Sequence, residues 1–384
     1  MKSPGKKVLV CGKFLTVGGV ETHIVNLCRL LVENGAEVTV VTRVAHPGVP
    51  AVDELRSVPV RLLATPFRHG GRASSLWAMV FWSLRLSRTF DVLYTFDMSR
   101  FAAFLARFVR PGGYVLGADW GPARPGAVHP AALKVLDGVL LETEFQAEPY
   151  RDLLRAGAIP HLAQVTGAVP REARRVEKLR VAFLGRMNAE KGMYRLLDYW
   201  PTLDIQPARL DFYGDGPELK RLESEVCARE LQDVYVHGPF TCGDLPRIYA
   251  ETDMVVLPTN WPEGLPLVLL ESMAYGVPFV ASDIGAIRTL AEDNPDVCVV
   301  PFDETALKRG IEHMARAVRS GQIDGRRLQQ YHPQRYGYDL LAARWLQALL
   351  HPEKFWDEDG SPGRYRPEFP ASQAEAPVGG GVRA

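Results

Sequence analysis

Short apolar runs alternate with stretches of helical period along most of the chain. Residues 7–12, KVLVCG, are a nearly unbroken apolar run of strand length. Behind them Val20, Ile24, Leu27 and Leu31 recur at the three-to-four spacing of one helix face. GAEVTVVTR then reads as a second strand after a glycine helix stop. Strand, loop, helix, strand is a βαβ opening, which requires a parallel sheet and a right-handed crossover. Further strands are predicted at VRLLA, DVLYTF, YVLGAD and GVLLET. The same grammar restarts in LRVAFLGRMNAEKGMYRLLDYW and continues through ARLDFYGDGPE, VYVHGPF, MVVLPT, PFVASD and VCVVP. Two doubly wound, Rossmann-like α/β domains are therefore expected in succession, over 1–172 and 173–330. Ligands of such sheets bind outside the carboxyl ends of the strands, which places the expected site in the cleft between the two domains. QRYGYDLLAARWLQALL predicts an amphipathic helix within 331–351, free to cross back to the first domain. The Pro, Gly and charge of 352–384 read as a poorly ordered tail whose Phe355 and Trp356 can anchor its start.

Length and charge narrow the classes. A chain of 384 residues is too long for one ordinary core and suits two. Its 45 basic and 45 acidic residues cancel, so there is no general electrostatic case for nucleic-acid binding. Cys11, Cys28, Cys227, Cys242 and Cys298 are scattered and odd in number. That pattern disfavours a disulfide scaffold or a structural zinc and fits a reducing cytoplasm. No leader-like apolar segment precedes the first strand, and LWAMVFW is far shorter than the roughly 20 residues that span a bilayer. Residues 56–110 are locally basic, with nine arginines against Asp91 and Asp97. Beside SLWAMVFWSLRLSR this stretch reads either as a core helix with solvated arginines or as a face for anionic lipid or an anionic acceptor, a peripheral membrane contact.

Candidate chemistry sits at predicted strand ends. Gly18 and Gly19 precede the first long helix, whose free N–H groups and positive dipole end suit a phosphate; the plain alternative is a tight turn. Neither GxGxxG nor a P-loop GK[ST] is present. In GRMNAEKG, Gly185, Arg186 and Lys191 bring an arginine fork and a lysine point charge to one strand end, a pairing suited to a diphosphate. YGDGPE sets Gly214 and Gly216 around Asp215 at the next strand end, and Gly238 follows at another; both stretches read as backbone exposed to a flat ligand or as ordinary turns.

The strongest signal is PEGLPLVLLESMAYG, residues 262–276. Glu263 and Gly264 belong to a loop after MVVLPT. A short helix begins near Leu265 and Pro266, carries Glu271, and stops before Gly276. Eight residues at about 1.5 Å each span roughly 12 Å, the reach from a sugar across a diphosphate to a ribose. Carboxylates accept from sugar hydroxyls, and a helix start between them suits the diphosphate.

Taken together, GGVETHIVNLCRLLVENGAEVTVVT, FLGRMNAEKG, FYGDGPE, VHGPF and EGLPLVLLESMAYGVPFVASDIGAIRTL resemble the retaining glycosyltransferases of family 4 (group 1), which have the GT-B fold. The resemblance implies an enzyme that moves a sugar from a nucleotide-diphosphate sugar to a hydroxyl of a glycan, a lipid-linked or a small-molecule acceptor. UDP is the first candidate nucleotide and GDP the second. It implies Arg186 and Lys191 at the diphosphate, Glu271 at the ribose, Glu263 with the backbone of Gly264 and Leu265 at the donor sugar, and Gly19 at the phosphates. No metal cofactor is implied, because Arg, Lys and helix dipoles take that role, and the configuration is retained by front-face attack. In VLGADWG the chain departs from the family, carrying Ala118 where many relatives have His ahead of Asp119. Asp119 then reads as the group that orients or deprotonates the acceptor, or as a helix cap, with His129 a substitute for the missing His. A nucleotide-sugar epimerase or hydrolase, or a non-catalytic nucleotide-sugar-binding partner, would keep the same fold.

Overall fold

The structure is a computed structural model that describes residues 5–12, 19–42, 50–64, 85–86, 89–96, 98, 100–119, 128, 130–163, 165–173 and 175–357. Among the described residues two parallel sheets form. The first contains β1 (Lys7–Gly12), β2 (Glu37–Thr42), β3 (Arg61–Ala64), β4 (Phe90–Thr95), β5 (Val109–Ala118), β6 (Gly138–Leu141) and β7 (Arg155–Ala158), in the order β3-β2-β1-β4-β5-β6-β7. The second contains β8 (Leu179–Leu184), β9 (Ala208–Tyr213), β10 (Val234–Gly238), β11 (Met254–Leu257), β12 (Phe279–Ser282) and β13 (Cys298–Val300), in the order β10-β9-β8-β11-β12-β13. Both are the doubly wound order, with the chain reversing its direction of spread at β1/β4 and again at β8/β11. The strands are apolar because helices cover both faces of a parallel sheet. Val8, Leu9 and Val10 are fully buried, as are Val255 and Val256.

One helix expectation needs correction, one strand went unpredicted, and the anchor expected after 351 is present. β7, with the sequence RAGA, has small residues and no alternating pattern, so it carries no periodic signal; its pairing with β6 makes it a strand. The stretch 334–350 is not one helix. One helix ends at Tyr336 and the next runs Tyr338–Leu350, with Gly337 extended at φ −59°, ψ 140° between them. Pro333 lies inside the earlier helix and withholds a backbone N–H there. The segment after 351 also begins in order, with a short helix Pro352–Phe355 and buried Phe355 and Trp356. Residues 358–384 lie outside the described residues.

The helix Tyr338–Leu350 packs on the first sheet although it follows the second in sequence. Leu341, Trp345, Ala348 and Leu349 share one core with Val8, Ile24, Leu27 and Val40. Trp345 Nε1 donates to the Pro160 carbonyl at 3.0 Å, which satisfies the polar edge of a fully buried indole. Of the basic stretch, Arg110 pairs with Asp91 at 2.7 Å, Arg56 pairs with Asp53 at 2.7 Å, and Arg107 lies over the Phe104 ring. Most of SLWAMVFWSLRLSR lies outside the described residues. Among the described residues no helix is long and apolar enough to cross a membrane.

Candidate active site

The β8/β11 switch point organises the second sheet's site. Loops leaving neighbouring strands there diverge to opposite faces, and the crevice between them lies at the carboxyl edge. The loop after β8 brings Lys191, and the loop after β11 brings Glu263, 72 positions later in the chain, into an ion pair. Thr259 Oγ1 donates to the same Glu263 oxygen at 3.1 Å and accepts the Trp261 N–H at 3.1 Å. The loop after β12 fixes the Glu263 backbone, whose carbonyl accepts the Ala286 N–H at 2.9 Å. The carboxylate is 11% exposed and the ammonium 24%, so the charges are partly desolvated and face the cleft as a neutral pair. Arg186 lies in the same loop and is exposed.

Backbone bonds knit the loops after β8, β9 and β10 into one shelf. Gly185 N–H donates to the Tyr213 carbonyl at 3.0 Å, Met187 N–H to that of Asp215 at 2.8 Å, and Gly214 N–H to that of Gly238 at 2.7 Å. Gly214 has φ +150°, and a Cβ on it would lie 1.8 Å from the Gly185 carbonyl oxygen, so no side chain fits. At Gly185 and Gly238 an added Cβ would meet nothing within 4 Å, so no neighbour crowds the side-chain position of either, although Gly238 itself is buried. Asp215 is exposed, and its carboxylate accepts the N–H of the next residue, Gly216, at 2.8 Å.

The helix carrying Glu271 runs Leu267–Ala274, with Pro266 at its N-cap and Gly276 beyond its end at φ +71°. The two glutamates stand in separate surroundings. Glu271 is half-buried among Tyr249, Tyr275 and Cys242, and burial raises its pKa to about 7 while the Tyr249 hydroxyl pulls the other way. Desolvation penalises the charged form. The Tyr249 and Tyr275 rings stack at 4.8 Å beside it, with their hydroxyls bonded to the Val268 and Thr166 carbonyls.

The first sheet meets this helix directly. A Cβ at Gly19, the first residue of the helix Gly19–Glu33, would lie 3.2 Å from Leu267 Cγ. Gly18 and His129 lie outside the described residues. Asp119, just past β5, accepts a hydrogen bond from the Tyr150 hydroxyl at 2.6 Å.

One strand along, the structure adds a group that sequence reasoning missed. Glu142 follows β6, its side chain is 1% exposed, and its Oε2 accepts the Leu265 N–H at 3.0 Å. Its Oε1 lies 2.7 Å from His161 Nδ1. The available signal was a carboxylate directly after the apolar strand GVLL, at the edge where parallel sheets hold their sites. His161 gave no signal, because only the fold of the chain after β7 brings it there.

The comparisons agree with this architecture. The family model described as Glycosyl transferases group 1 matches residues 178–317, and that described as Glycosyltransferase Family 4 matches 17–116, together well over half of the chain. This chain belongs to the family 4 (group 1) glycosyltransferases. The glycosyltransferase is 34% identical over 124 residues to an alpha-D-kanosaminyltransferase of Streptomyces kanamyceticus, 32% of each chain. It is 26% identical over 332 residues to a sulfoquinovosyl transferase of Arabidopsis thaliana, covering 74% of this chain and 60% of that one. The first curated relatives are matched over only 24 to 34% of their own lengths. Its fold is that of Anabaena HepE, a structure containing UDP and glucose: TM-score 0.69, 16% identity, covering 89% of this chain and 99% of that one. The glycosyltransferase therefore has the GT-B fold, two Rossmann-like sheets with their carboxyl edges facing one cleft.

Proposed function

We propose that the protein transfers a sugar from a nucleotide-diphosphate sugar to a hydroxyl of a glycan, lipid-linked or small-molecule acceptor, with retention of the anomeric configuration. UDP is the first candidate nucleotide, GDP the second. The observation that carries this reading is the Lys191–Glu263 pair at the β8/β11 switch point, set beside the uncrowded backbone of Gly185 and Gly238. In this reading the base and ribose lie along the shelf of Gly185, Gly214 and Gly238, and Glu271 accepts from the ribose hydroxyls. Arg186 and Lys191 bind the diphosphate together with the backbone at Gly18 and Gly19 and the helix start after Pro266. The diphosphate draws Lys191 from Glu263, which frees that carboxylate for the hydroxyls of the donor sugar beside the Gly264 and Leu265 backbone.

Chemistry then follows from charge. As the bond from the anomeric carbon to the diphosphate breaks, negative charge grows on the leaving oxygen, and Arg186 and Lys191 stabilise it more than they stabilise the intact donor. The acceptor hydroxyl attacks the same face and gives its proton to the departing phosphate. Asp119, held by Tyr150, orients that hydroxyl from the first sheet. Thermal-shift screening against UDP-, GDP-, ADP- and dTDP-sugars tests the donor assignment, and failure of all four to stabilise the protein overturns it. Product analysis with and without an acceptor pool separates transfer from hydrolysis or epimerisation.

A further inference from the structure

The contact between Glu142 and Leu265 sets an anion on backbone that the reading above gives to the donor. Glu142 Oε2 accepts the Leu265 N–H at 3.0 Å, and the carboxylate lies so close over Gly264 that a Cβ there would be 1.4 Å from the oxygen. Only a glycine admits it. The carboxylate belongs to the first sheet and the amide to the second, so the contact spans the cleft at the point where sugar and diphosphate are assigned.

We propose that Glu142 is an internal competitor for the donor, holding the Leu265 N–H and the space over Gly264 in the ligand-free protein and yielding both when the nucleotide sugar binds. This rests on the donor assignment above and adds to it the residue that sets donor affinity. A single N–H cannot satisfy two anions at once, and a diphosphate brought beside an unmoved carboxylate is repelled in a site shielded from water. His161 gives the carboxylate a partner that stays with it, because Nδ1 lies 2.7 Å from Oε1 and both residues belong to the first sheet. His23 lies beside His161, with the ring centroids 5.2 Å apart. Its Nδ1 accepts the Leu162 N–H at 2.9 Å and so carries no proton, and burial holds the ring neutral. The competitor thus gives up an amide of the second sheet and keeps an imidazole of its own.

The sign of one affinity change decides the matter. Full-length wild type, Glu142→Gln and Glu142→Ala are each screened with UDP-glucose, GDP-mannose, ADP-glucose and dTDP-glucose, and the best ligand is titrated calorimetrically into all three. Glu142→Ala is expected to bind about tenfold more tightly than wild type, the worth of one charge-assisted hydrogen bond removed from the competing state. Glu142→Gln, isosteric and still able to accept from Leu265, gains less. Equal or weaker binding by both variants, with wild type binding a donor, overturns the inference and makes Glu142 a support for the Glu263–Leu265 turn; the donor assignment then stands. Binding by a variant alone supports the inference in its strongest form. Binding by none of the three proteins removes the donor assignment and the inference with it.

Discussion

Glu271 is expected to lose a proton when the nucleotide sugar binds, and pH exposes this. With a pKa raised to about 7 by burial, the carboxyl is about nine-tenths protonated at pH 6 and about one-tenth at pH 8. Ribose hydroxyls donate to the charged form and favour it. If only that form binds, apparent affinity falls by roughly tenfold from pH 8 to pH 6, about 1.4 kcal/mol. A nucleotide sugar is the right probe, because its diphosphate is esterified at both ends and does not titrate in this range, whereas a free nucleoside diphosphate does. Calorimetry in two buffers of different ionisation enthalpy counts the released protons: a substantial fraction of one per site at pH 6, little at pH 8. Glu271→Gln should bind more weakly at pH 8 and show no such slope. Stability carries the opposite sign. Between the ordinary glutamate value of 4.5 and about 7 the folded protein holds a proton that the unfolded chain has lost. The ligand-free protein therefore loses stability as pH rises through that window, by at most roughly 3 kcal/mol, and Glu271→Gln abolishes that loss. Wild-type donor affinity that is flat from pH 6 to 8 would refute the placement of the charged carboxylate at the ribose.

Other consequences are equally open to measurement. Lys191→Ala leaves the Glu263 carboxylate partly buried with Thr259 as its remaining neighbour in the pair's network; denaturant melts should show a loss of about 1–3 kcal/mol, partly recovered in the Lys191→Ala/Glu263→Gln double variant. Asp119→Asn keeps an oxygen for the Tyr150 hydroxyl, so folding and donor binding should persist while the transfer rate drops roughly 10²-fold in a product assay as the acceptor loses its orientation. Equal loss of donor binding would move Asp119 out of the acceptor role. Gly214→Ala drives a Cβ toward the Gly185 carbonyl and should cost stability and donor binding together, read by thermal melts and titration.

The separate stretches of chemistry were legible along the chain because each is local. A strand, a glycine turn and a helix start identify themselves within about twenty residues, and PEGLPLVLLESMAYG contains its own loop, cap and stop. The small-residue strand RAGA was not legible, since its burial comes from its neighbour β6 rather than from its own pattern. Nor was the break at Gly337, where a helical pattern runs through a backbone that is extended.

By itself the sequence determined two parallel sheets, their order along the chain and the residues at the strand ends, because hydrophobic period and turn chemistry are properties of contiguous residues. Tertiary structure decided which of those ends meet. The reversal of strand order puts Lys191 against Glu263, and the closing of one sheet on the other sets Glu142 on Leu265. A buried carboxylate's partner is fixed by which strand lies beside it and which sheet lies opposite, and no local pattern of residues records either.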